Sequence, residues 1–265
     1  MSTSGMGSWR NPPLAYVVAE VKFSPFLTLE RHVPEFQAGI RDRFPRTREG
    51  VVARLELIGN SPTQEQEKVW RFFTENQRLG IDLTRRNVSL HATEYEHFDV
   101  FLNSLNQMLS VVEDTIPNLF VEHLGLRYID YLLPSDTESS FDYIPESLQG
   151  VRPPGVSELS ECYWIGHFKL ASGGINLRVM PRLPAGTFMP PLFGPLDLAP
   201  AKTQIEAQKR AAKQEAFGCI DTDRILPIEN MLHTAEVVRA FKMMHEDVSN
   251  LFQSTMSEKA KKVWM

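Results

Sequence analysis

Cysteine is almost absent: Cys162 and Cys219 are the only two in 265 residues. Neither belongs to a Cys-x-x-Cys pair, which excludes a disulfide-built scaffold and thiolate zinc ribbons, and points to two reduced thiols in a cytosolic setting. No run reaches the ~20 apolar residues needed to span a bilayer as a helix. Residues 1–9 lack the basic segment and apolar stretch of a secretory leader. The phosphate-cradling loops Gly-x-x-x-x-Gly-Lys-Ser/Thr and Gly-x-Gly-x-x-Gly are missing, and so are the nucleophile elbow Gly-x-Ser-x-Gly and the metalloprotease pattern His-Glu-x-x-His. A net charge of −5 argues against bulk attraction to nucleic acid or anionic lipid. With 42% hydrophobic and 23% charged residues, the chain reads as an ordinary globular, cytoplasmic protein with enough length to bury a large core.

What is present is a regular succession of strand and helix periods. Residues 122–131 form a central strand, with Leu124, Leu126, Tyr128 and Leu132 on one face and Arg127, Ile129, Tyr131 and Leu133 on the other. Before it, residues 14–23 alternate as a strand. A helix follows, with Leu29, Val33, Phe36, Ile40 and Phe44 as its apolar stripe; Pro34 favours a start near His32. Four short strands at 51–57, 69–73, 79–83 and 88–92 read as an antiparallel meander, and a helix over 95–114 is preceded by Thr93 and Glu96 at capping-box spacing. After the central strand come an irregular connection with a short helix near Ile144 and Leu148, a hairpin over 162–180 turning at Ser172-Gly173-Gly174, and a stretch over 181–200 with six prolines. A stretch over 202–216 that reads as a surface helix or a mobile insertion, a last strand over 217–225 and a long final helix complete the chain. The reading is α+β, with two similar halves of strand, helix, antiparallel strands and helix, and sheets covered by long helices. The boundaries are a flexible 1–13, a first half 14–117, and a second half 118–265 with a Pro-rich insertion at 181–216.

Gly125-Leu126-Arg127-Tyr128-Ile129-Asp130 resembles the Gly-Leu-Arg-Tyr-(Ile/Val)-Asn segment of a sporadically distributed family of uncharacterised bacterial proteins. Other pieces match that family in order: the opening proline and strand around Pro13, the Trp70–Phe72 strand, the helix start at Tyr95 and Phe98, the Ile220-Asp221-Thr222-Asp223 strand, and Leu232-His233 with Phe241 or Phe252 in the last helix. Asp130 departs from the family's Asn, and Thr222 interrupts an apolar-Asp-apolar-Asp pattern. The segment 181–216 is longer than in the family. The resemblance transfers no activity; patchy distribution implies genes that travel in mobile or defence islands.

Several residues could carry chemistry. His91, Glu94 and His97, with Glu96, form the densest group of metal-ligand types; the bland alternative is a strand-to-helix turn whose acids favour a helix N-terminus. Asp221 and Asp223 share one strand face and could hold a divalent cation or simply pair with nearby Arg or Lys. Arg127 and Asp130 flank Tyr128 on a central strand, where charge must be paired or lie at a pocket: either a ligand-binding pair, or an internal salt bridge involving Glu20 or Glu122. His245 lies in the apolar stripe of the last helix and reads as a hydrogen-bonded core residue. Arg41, Arg43, Arg46 and Arg48 are diluted by Asp42 and Glu49.

The resulting expectation is a non-catalytic interaction protein without a cofactor. It would work with another protein, which could be encoded nearby, in phage defence or a mobile element, and it could form a homo-oligomer. The alternative is a small-ligand- or metal-binding protein or enzyme with one pocket around Arg127, Asp130, Asp221 and Asp223, bordered by Tyr128. Nucleic-acid binding through Arg41 to Arg48 and Lys202 to Lys213 ranks below both.

Overall fold

The fold is given by a computed structural model, which describes residues 12–264 except 59–60, 136, 152, 156–158, 160–161, 184–197 and 214, and only the backbone over 53–65. Most of the expected flexible N-terminus and of the Pro-rich stretch lies outside the described residues.

Among the described residues nine strands form one antiparallel sheet in the order β2-β3-β4-β5-β1-β6-β9-β8-β7. They are β1 (Leu14–Phe23), β2 (Arg46–Ile58), β3 (Ser61–Phe73), β4 (Leu79–Leu83), β5 (Asn87–Ala92), β6 (Phe120–Leu132), β7 (Cys162–Lys169), β8 (Gly174–Arg182) and β9 (Gly218–Met231). The helices are α1 (Val33–Ile40), α2 (Phe98–Thr115), α3 (Lys202–Ala212), α4 (Thr234–Ser254) and α5 (Glu258–Trp264).

Strand alternation gives the sheet two unlike faces. On the first, Val17, Ala19 and Val21 of β1, Leu124 and Leu126 of β6, and Val88 and Leu90 of β5 pack under α1, α2 and α4. The stripe Phe101, Leu105, Met108, Leu109 and Val112 holds α2 to this core. Beyond it, Leu132, Val179 and Ile220 pack under α5, where Tyr143 and Trp264 close the layer. The second face is covered mainly by α3: Ala207 and Ala211 lie over Tyr16, Ile129, Tyr131 and Cys219. α1 starts after His32 with Pro34 in its first turn, where a missing N–H costs nothing. α2 begins at Phe98 after an extended His97, with no side-chain cap, so the Thr93/Glu96 box does not form.

The expectation of two similar strand-helix halves is overturned. The sheet is a single open one. β1 and β6 pair from Leu14↔Asp130 to Phe23↔Val121, so both sets of strands join edge to edge into one surface. α2 and α4 then share one core over its middle instead of closing separate layers. The second set has no counterpart of α1 among the described residues: between β6 and β7 come only 3-10 turns at Ser140–Tyr143 and Glu146–Leu148. The short strands expected at 51–57 and 69–73 are parts of one long hairpin, β2 and β3, paired from Arg46↔Phe73 to Ile58↔Ser61.

Candidate functional site

An open cleft of about 560 Å3 lies on the first face, between the N-terminal end of β1, the middle of β6 and β9, the 95–99 turn and α4. Its floor is made by Tyr128 and Asp130 of β6 and Thr222 of β9, and Tyr128 and Thr222 are direct cross-strand partners. Its wall is His245, Ser249 and Phe252 of α4, facing Tyr95 and Phe98. Beside Asp130 the β1–β6 register shifts between Leu14 and Tyr16, leaving Ala15 as an extra residue. Such a bulge relaxes the pairing where the floor must open.

The cleft holds a short polar chain. The Tyr128 hydroxyl lies 3.0 Å from His245 Nδ1, and His245 Nε2 lies 3.4 Å from the Ser249 hydroxyl. The imidazole stacks on Phe98 with ring centres 3.8 Å apart and planes 8° from parallel. Burial pushes His245 down to about 4, so the ring is neutral at pH 7 and donates from one nitrogen while accepting at the other. Tyr95 meets Tyr128 edge-on at 6.0 Å. Burial raises both phenols, so they remain protonated.

Two floor groups differ from these. Thr222 is fully buried and its hydroxyl has no partner among the described residues. Asp130 is 5% exposed, and its side chain makes no hydrogen bond or ion pair among the described residues. Burial first, and then the charge of Asp221, raise its carboxyl to about 8, leaving it mostly protonated at neutral pH. Buried polar groups are nearly always satisfied within the protein or by water. The rim carries Glu96, Asp99 and Glu246 against Lys242 and His97.

The single pocket expected around Arg127, Asp130, Asp221 and Asp223 does not form. Alternation sends Asp130, Tyr128 and Thr222 to the cleft and sends Arg127, Asp221 and Asp223 to the second face. There Arg127 donates from Nε and Nη2 to the two Asp221 oxygens, both at 2.6 Å, and Arg178 donates to Oδ2 at 2.9 Å. Asp221 is thus sealed by two guanidiniums. Asp223 accepts from Asn176 Nδ2 at 3.4 Å, and burial raises its carboxyl. Arg127 makes a salt bridge to Asp221, while Glu20 accepts from Asn87 and Glu122 pairs with Lys22.

The His91, Glu94 and His97 group is also dispersed. His91 is buried on the second face between the Tyr16 hydroxyl and the Ser89 hydroxyl, 2.7 Å from the latter, and burial lowers it to about 3. Glu94 pairs with Arg78 and Asn76 at the surface. His97 precedes α2 at the cleft rim. Among the described residues no group of three or more His, Cys, Asp or Glu is placed to hold a metal ion. Arg43 and Arg46 border a second hollow of about 720 Å3 together with Arg78, but Glu75, Glu94 and Glu96 balance them. Among the described residues no helix is long and apolar enough to cross a membrane.

Sequence reasoning selected Tyr128 and Asp130 and passed over Tyr95, Phe98, Thr222 and Ser249 as site residues. The signal for Thr222 was visible, since a hydroxyl interrupted an otherwise apolar position of β9. The chain matches no family model, and no curated protein matches it.

Proposed function

We propose that the protein binds a small organic base in the α4 cleft: a compact aromatic or apolar body carrying one basic nitrogen. The observation that supports this most directly is the Asp130 carboxyl, buried at the floor of an open cleft with no partner among the described residues. A protonated nitrogen placed against it supplies the missing counter-charge, and the carboxyl gives up its proton as the ligand seats. The Thr222 hydroxyl beside it has a free donor and acceptor for the same group. Tyr95, Phe98, Tyr128 and Phe252 give the ligand body flat apolar walls, and aromatic faces favour cations. The acidic rim of Glu96, Asp99 and Glu246 draws a cation toward the mouth.

The test uses benzamidine as the probe and benzamide as its neutral counterpart, followed by calorimetry and thermal unfolding. Benzamidine is expected to bind and raise the unfolding temperature of the native protein, benzamide to do so far less, and Asp130→Asn to abolish the difference. Equal binding of the two probes, or a benzamidine response untouched by Asp130→Asn, would rule the reading out.

A further inference from the structure

The sheet is open, and its two edges are built differently. β2 carries Arg46, Arg48 and Glu49 in its first part. Charges of that kind blunt an edge against pairing with another strand. β7 reads Cys-Tyr-Trp-Ile-Gly-His-Phe-Lys, with no proline, no acid, and its one lysine at the last position. Among the described residues it is hydrogen-bonded to β8 alone. Tyr163 is 54% exposed and Ile165 58% exposed, both on the second face, and Phe168 is 40% exposed on the other. An edge with exposed apolar side chains and no protecting charge at its centre is built to be covered.

We propose that β7 pairs antiparallel with β7 of a second copy of the chain, joining the two sheets into one across a twofold axis at Ile165. The strand complements itself in this register. A twofold perpendicular to the sheet brings each residue opposite one on the same face. Ile165 then meets Ile165 of the other copy, Tyr163 meets His167, Trp164 meets Gly166 and Cys162 meets Phe168. The Trp164 ring already lies over Gly166 of its own strand, where an added Cβ would fall 2.4 Å from it. Each indole meets a glycine across the joint, and Phe168, whose ring stacks 6.2 Å from that of Trp164, shares the space over Gly166 on the same side of the strand. The two Lys169 side chains sit at opposite ends of the joint and do not oppose each other. Aromatic and β-branched pairs facing directly across strands are the favourable kind. Pairing β7 with itself also closes at two copies. Pairing it with β2 of a neighbour would continue without end, and the charges of β2 oppose that.

The oligomeric state of the full chain tests this. Sedimentation velocity at tens of micromolar is expected to give a dimer for the native chain and a monomer for Ile165→Lys, which sets two ammonium groups against each other on the axis. Ile165 is exposed, so the variant should keep the native circular dichroism and unfolding temperature. Independently, Ile165→Cys in a Cys162→Ser background should form a covalent dimer on mild oxidation, because the two new thiols face each other. A monomeric native chain overturns the proposal, including one whose β7 instead takes up an unrelated peptide strand. So does a dimer that Ile165→Lys leaves intact, or a dimer that Ile165→Cys does not cross-link.

Discussion

Replacing Asp130 with Asn should change how stability depends on pH, and the direction follows from the site. The Asp130 carboxyl is raised to about 8, first by burial and then by the charge of Asp221. An acid raised in the folded state binds its proton more tightly there than in the unfolded chain. Its contribution to stability is therefore complete below the ordinary carboxylate range and is lost as pH climbs through about 8. The buried histidines act with the opposite sign: His91 and His245 are lowered to about 3 and about 4 by burial, so their contribution is full above about 6.5 and fades as pH falls. Between about pH 6.5 and 8 the histidines are quiet and Asp130 dominates. Linkage over that interval gives a loss of about 1.5 kcal/mol from this one group. The asparagine side chain keeps the shape of the neutral acid and has no proton to lose. Urea unfolding at about pH 6.5, 7.25 and 8, followed by tryptophan fluorescence, should show the native protein losing about 1.5 kcal/mol relative to Asp130→Asn. Groups common to both proteins cancel in the comparison. Parallel pH profiles would mean that Asp130 is ionised or solvated in the folded protein, and the reasoning about the cleft floor would fall with it.

Three other outcomes follow from single contacts. Asp221→Ala strips two guanidiniums, those of Arg127 and Arg178, of their shared carboxylate, and should destabilise the fold by about 3 kcal/mol in denaturant titration. Gly173 turns the β7–β8 hairpin at φ +73, and a Cβ there would lie 2.2 Å from the Ile225 carbonyl oxygen; Gly173→Ala should cost about 2 kcal/mol or more and visibly lower the unfolding temperature. Phe98→Ala removes the ring stacked on His245 and admits water, so the imidazole should move up from about 4 toward its ordinary value, as read from the pH dependence of its ring-proton resonances.

Local patterns made much of the fold legible. The period-two runs of β1, β6, β8 and β9 locate those strands, and the Pro34 argument places the start of α1. The long apolar stripes of α2 and α4 were equally plain because each buries one face on the same core. What the local patterns do not carry is how strands from distant segments pair. The contact of β1 with β6, which turns two sets of strands into one sheet, is long-range, and nothing in either strand alone states it. The candidate site suffered similarly. Arg127, Asp130, Asp221 and Asp223 are close along the sheet, but Asp130 is separated from the rest by parity, and parity was already readable from the alternation around Tyr128. The convergence of Phe98, Tyr128 and His245 could not be read, since it depends on α4 crossing the sheet beside the start of α2.

The two faces of the central strands show why the cleft, and not the arginine cluster, carries the functional reading. Both bury carboxyl groups at the same level of the sheet. On the second face the charge of Asp221 is met by three donated hydrogen bonds from two guanidiniums, so the group is complete and a ligand would have to displace internal partners to gain anything. On the first face Asp130 has no such partner among the described residues, and the neighbouring Thr222 hydroxyl has none either. A fully buried hydroxyl left unbonded, as at Thr222, costs stability, on the order of one to three kcal/mol. An apolar pair at 130 and 222 would avoid that cost and pack against Val248 and Phe252 just as well. A floor that is polar, unpaired and open to the outside is what a site looks like when its missing partner arrives from solution.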